Sequence, residues 1–161
     1  MFRVLRYCRY AFAPENYLLL ARTIRAARLV KKYLKTDAPS AEFPASVRAV
    51  EALHLPPQPG WRISDPVRIA RLAALIVRVP SQWGRCVQRS LITYHLLNGY
   101  GYPAQICFGI RKDSQGNDDL AQDGHAWVVK LDEPHQAFAE SPHPAERFKI
   151  VYSAPSGPLS N

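Results

Sequence analysis

The sequence predicts an α+β fold on three observations: helical spacing of apolar residues up to Asn98, alternation of apolar and polar residues after Pro103, and a cysteine-bearing helix at the junction. A chain of 161 residues with 47% hydrophobic and 21% charged positions can close one core, and wholesale disorder is excluded. The best apolar stretch, Ile69 to Val79, is broken by Arg71 and Arg78 and falls short of the roughly 20 residues a spanning helix needs. A soluble chain is expected. The basic N-terminus has an apolar block only from Tyr17 to Ala21 and no small-residue cleavage site, which argues against a secretory signal. Cys8, Cys86 and Cys107 are odd in number and too few for a disulfide framework, so a reducing, cytoplasmic setting is expected.

The first helix is read from Glu15 to Lys35, with Leu20, Ile24, Ala27, Val30 and Leu34 on one side and Arg22, Arg25, Arg28, Lys32 and Lys35 on the other. Residues 1–35 hold nine Lys and Arg against one acid, so the whole excess of the +8 net charge sits there. Such a basic amphipathic helix suits a membrane surface, a nucleic acid or an acidic protein, or is a solvated face on a helix packed by its other side. A second helical stretch, Ala45 to Leu55, is closed by Pro56, Pro57, Pro59 and Gly60. Asp65 and Pro66 read as an N-cap with proline at the first helical position, opening a helix that Pro80 stops after Val79.

The fourth helix runs from Cys86 to Asn98 and stops at Gly99. Cys86 thus sits in a first turn, where unpaired amides, the positive end of the helix dipole, Arg85 and Arg89 all favour a thiolate. Ala104, Ile106, Phe108 and Ile110 then alternate with Gln105, Cys107, Gly109 and Arg111, as in a half-buried strand. After a polar, acidic loop, His125 opens a second strand that runs to Leu131. A third strand is read from His135 to Glu140, in a hairpin register that puts His125 across from Glu140. Phe148, Ile150 and Tyr152 supply a fourth, and the Pro-, Ser- and Gly-rich stretch 154–161 reads as a disordered tail.

That register makes Glu140 the carboxylate to orient His125, because Asp132 lies seven residues down the same strand, roughly 23 Å away at strand rise. Trp127 shares the strand face of His125 and is read as a wall of the site or as core. Cys107 is read as packing, Cys8 as an incidental thiol and His95 as a satisfied or exposed histidine. His125, His135 and His143 fit no short metal motif, and no second cysteine pairs with Cys86, so neither a metal nor another cofactor is expected.

The order of cysteine at a helix start, histidine at a strand start and acid on the next strand resembles the papain-like and transglutaminase-like cysteine enzymes. More narrowly, Gly84-Arg85-Cys86-Val87-Gln88-Arg89-Ser90-Leu91, Gly109-Ile110-Arg111-Lys112 and His125-Ala126-Trp127-Val128 resemble the lasso peptide biosynthesis B2 proteins, the leader peptidases of lasso peptide maturation. Glu140-Ser141-Pro142 and Glu146-Arg147-Phe148 fit as well, so the likeness runs from Gln82 to Tyr152. The resemblance implies helices over 1–60, a transglutaminase-like cysteine peptidase core over 61–153 with the nucleophile's helix packed on an antiparallel sheet, and a Cys86–His125–Glu140 triad. The family often has Asp where this chain has Glu140.

The implied partners are a precursor's leader peptide, a separate RiPP recognition element protein and an ATP-dependent cyclase, with the N-terminal helices as docking candidates and exposed strands holding the substrate by strand addition. Nucleic acid is not among them, and contact of the first helix with a membrane surface stays open. Gln82, just upstream of the nucleophile, is the side-chain candidate for the oxyanion site, beside the backbone amide of Cys86. Two other functions remain open: an acyltransferase on the same triad, and a non-catalytic basic binding module.

Overall fold

In the computed structural model the described residues are 14–34, 42–55, 57–60, 65–77, 84–112, 124–132, 137–138, 140 and 143–155. Cys8, Gln82 and His135 lie outside them. The elements are α1 (Pro14–Leu34), α2 (Glu42–Leu53), α3 (Val67–Ile76), α4 (Gly84–Gly99), β1 (Ala104–Arg111), β2 (Gly124–Lys130) and β3 (Phe148–Ala154), with one 3-10 turn at Pro144–Glu146. Helices precede strands, as the sequence predicts for an α+β chain. The sheet is antiparallel with β1 in the middle, β2 on one side and β3 on the other.

The α1 helix forms where expected and turns the expected side inward at Ala27, Val30 and Leu34, but not at Leu20 and Ile24. Leu19, Thr23, Ala26, Val30 and Leu34 are buried, while Leu20 and Ile24 are 38% and 37% exposed. Thr23 explains the offset: its hydroxyl donates to the Leu19 carbonyl at 2.7 Å, so a polar residue enters the core with its donor satisfied, where hydropathy alone passes over it. Asp65 caps α3 as its type suggests, its Oδ1 accepting from the Val67 amide at 2.9 Å.

Helix α4 is the axis of the molecule. It packs against α1, α2 and α3 and against β1 and β2, and every residue from Ser90 to Gly99 is buried. A helix enclosed all round must satisfy its own polar groups. Tyr94 meets the His54 ring nitrogen at 2.8 Å, His95 Nδ1 meets the Leu53 carbonyl at 2.8 Å, and Asn98 donates to the Tyr94 carbonyl at 3.0 Å. Only its first turn, Gly84 to Arg89, comes to the surface.

Strand β1 was expected to be half-buried but is covered on both faces from Ala104 to Phe108. Its inner face, Ala104, Ile106 and Phe108, joins the helical core with Ala126 and Val128. Its outer face has a second, smaller core of Cys107, Trp127 and Val129, roofed by Ala137, Ala145, Phe148 and Ile150. The third expected strand does not form among the described residues. It is reduced to one bridge, Val129 with Ala137, where the expected register pairs Val129 with Gln136. Of the stretch read as a tail, Ala154 pairs with Ile106 and the Pro155 carbonyl accepts from Gln105 at 2.8 Å, so these two belong with the sheet, and 156–161 lie outside the described residues.

Candidate active site

The surfaced turn of α4 meets the start of β2, and Cys86 and His125 meet with it. Gly84 has φ of +69°, a left-handed conformation that side chains resist, and a β-carbon there would stand 3.6 Å from the Cys86 sulfur. The chain therefore swings into the helix immediately beside the thiol. Four residues on, Ser90 donates its hydroxyl to the Ala126 carbonyl at 2.8 Å, fastening the helix to the strand next to His125.

His125 is held on several sides. Its Nε2 donates to Glu140 Oε2 at 2.9 Å, and the ring also hydrogen-bonds Cys86, which leaves Nδ1 for the sulfur. Phe148 stacks on the imidazole with centroids 4.9 Å apart, and Trp127 lies 6.0 Å away at an 18° tilt. Trp127 is both wall and core, being 1% exposed. Glu140 reaches the ring from outside any ladder, so the contact expected from the hairpin is present although the hairpin register is not. Asp132 sits exposed past the far end of β2.

The electrostatics follow from these contacts. Burial pushes the Cys86 thiol up, but the hydrogen bond to His125, the amides of Ala126 and Val87 and the imidazolium charge outweigh it and hold the thiol below its ordinary value. Burial would lower His125, yet hydrogen bonds and charge from Cys86 and Glu140 raise it to about 9. A thiolate–imidazolium pair is the state these shifts describe. By contrast Cys107, buried with no such partner, is pushed up to about 12.

Three contributors went unread in the sequence. Arg89, read only as a nearby charge, ion-pairs Glu140 through the oxygen that His125 does not use. Phe148, read as a strand residue, supplies the ring against the imidazole. Gly109 lies directly across from His125, and a β-carbon there would come within 2.9 Å of the Trp127 ring and the Lys149 carbonyl. The β1–β3 register shift between Phe108 and Gly109 was the missing clue, and a bulge leaves little trace in sequence.

A cysteine-bearing helix laid on an antiparallel sheet, with a histidine at the sheet's end, is the arrangement of a transglutaminase-like domain. The family model described as Transglutaminase-like superfamily matches residues 17–153, and the chain belongs to that superfamily. Neither the curated proteins nor the solved structures give a significant match. The superfamily fits a cysteine peptidase or an acyltransferase. Among the described residues no helix is long and apolar enough to cross a membrane.

Proposed function

We propose that this protein is a cysteine peptidase that removes the leader from a lasso peptide precursor. The observation that carries the enzymatic part is the Cys86–His125–Glu140 chain of hydrogen bonds at the one exposed turn of an otherwise enclosed helix. The choice of substrate rests on the likeness of the Gly84–Leu91, Gly109–Lys112 and His125–Val128 segments to the B2 proteins. In this reading the Cys86 thiolate attacks the carbonyl of the last leader residue, and His125 gives its proton to the departing amine. The peptide bond breaks and a thioester forms. Water, deprotonated by the now neutral His125, adds to the thioester and releases the leader with the thiol restored. The Cys86 backbone amide and, by its place in sequence, Gln82 stabilise the oxyanion. A separate RiPP recognition element protein presents the leader, and an ATP-dependent cyclase takes the released core.

The test is to incubate the chain with a lasso precursor and its recognition protein and to weigh the products with and without a primary amine. Free leader and core are expected, with neither formed by Cys86→Ala. An amine-capped leader in place of free leader would make the protein an acyltransferase, and cleavage that survives Cys86→Ala would overturn the reading.

A further inference from the structure

We propose that Arg89 is a positioning residue: by holding one oxygen of Glu140, its guanidinium aims the other at His125 and so fixes the imidazole that serves Cys86. The inference rests on the cysteine-enzyme reading of the site.

Among the described residues the segment carrying Glu140 is anchored two and three residues earlier, by Phe138 in the helical core and Ala137 against the outer one, and the Glu140 carboxylate itself meets the side chains of His125 and Arg89. Among those residues the segment's ladder contact is the single bridge at Ala137, supported by the Phe138 amide donating to the Val128 carbonyl at 2.8 Å. Glutamate also has one more rotatable bond than aspartate, so its carboxylate is harder to aim. Arg89 supplies a restraint on the carboxylate itself. It stands three positions after Cys86 on α4 and so shares the side of the helix that bears the sulfur. Its Nη2 meets Glu140 Oε1 while Oε2 accepts from His125 Nε2. The Glu140 side chain is 15% exposed and that of Arg89 32%, so the pair is partly shielded from solvent. The nucleophile's helix thereby grips the acid that orients the base, and Arg89, Glu140 and His125 form one chain of contacts.

Two roles for Arg89 predict opposite signs. As a nearby charge it disfavours the imidazolium, and its removal would raise the pKa of His125. As the clamp on Glu140 it favours the imidazolium, and its removal lowers that pKa. The charged and titratable groups facing the ring are Cys86 from α4 and Glu140, with Arg89 behind the carboxylate; Phe148 and Trp127 add apolar rings.

The experiment is an NMR titration of the His125 ring nitrogens in the full chain, assigned with His125→Gln, for wild type, Arg89→Ala and Arg89→Lys. Arg89→Ala is expected to lower the His125 pKa by about one unit. Arg89→Lys keeps the charge but loses the planar fork, and should lower it part of the way. A rise in Arg89→Ala with no change in Arg89→Lys would overturn the proposal. If Arg89→Ala fails to fold, Arg89→Lys decides alone, a lowered value supporting the clamp and an unchanged one refuting it. A wild-type His125 that titrates like a free histidine would instead bring down the reading of the site itself.

Discussion

Cys86 and Cys107 occupy two ends of the same problem. Cys107 stands in the middle of the sheet's outer face, packed by Trp127 and Val129, and burial alone pushes its thiol up to about 12. Cys86 stands at the sheet's end on the one surfaced turn of α4, and its burial penalty is overcome by His125 and two backbone amides. The difference teaches that partners, and not burial alone, decide which thiol is held below its ordinary value. The inert region has its own use. The rings of Trp127 and Phe148 that pack around Cys107 are the ones that pack against His125, so the outer core braces the imidazole while giving its own cysteine no hydrogen-bond partner among the described residues.

The sharpest way to break the comparison is competitive alkylation. At pH 7 a thiol at about 12 is ionised in about one part in 10⁵, whereas one below its ordinary value of 9.0 exceeds about one part in 10². Cys86 should therefore react with iodoacetamide at least about a thousandfold faster than Cys107, as read by peptide mass mapping after a short pulse. Comparable rates would mean that His125 does not serve the sulfur.

Glu140→Gln should have the next largest effect, because it keeps the shape and an acceptor while removing the charge. His125 is raised to about 9, so the imidazolium persists through neutral pH and is lost as pH rises through that value. Without the carboxylate that loss moves to lower pH, and acyl-transfer rate at pH 8 is expected to fall roughly 10- to 100-fold. An unchanged pH profile would show that another group orients the ring.

How much of this could be read beforehand varies by region for physical reasons. The start of α4, the start of β2 and the pairing of His125 with Glu140 follow from local signals: a helix turn bearing a cysteine, a strand opened by histidine, and the chemistry each requires. The inward face of α1 is legible at Val30 and Leu34 but not at Thr23, whose hydroxyl is hidden in its own helix. The hairpin register differs by one residue at the bridge of Val129 with Ala137, the one ladder contact of that stretch among the described residues. Glu140 still reaches His125 because a side-chain contact drawn in by Arg89 does not need a strand beneath it. The coverage of β1 depends on what packs over its outer face, and periodicity within one strand says nothing of that.

Gly109→Ala probes the outer region without touching the reacting groups. Its added carbon would press on the Trp127 ring, the Lys149 carbonyl and the Phe148 β-carbon at 3.0 Å or less. Backbone on one side and two enclosed rings on the other leave little room to yield, so overpacking should cost about 1–3 kcal/mol in denaturant unfolding. The Cys86 pulse-alkylation rate should fall as well, because the displaced rings are those that hold His125. Full stability with an unchanged rate would show that the outer core does not steady the base.

The smallest effect is expected from Asp132→Ala, and it sharpens the comparison by testing position rather than chemistry. Asp132 and Glu140 are both carboxylates near β2, but Asp132 follows the strand's last residue, Lys130, while His125 stands next to its first, Gly124. Asp132 lies seven positions beyond His125, two residues past the end of β2, up to roughly 23 Å away at strand rise, and a solvated carboxylate at such a distance is screened to almost nothing at physiological ionic strength. Alkylation of Cys86 and the His125 titration should both stay within about twofold of wild type, an exposed charge acting on neither. A loss as large as that of Glu140→Gln would require the chain after β2 to fold back on the site, and with it a different partner for His125.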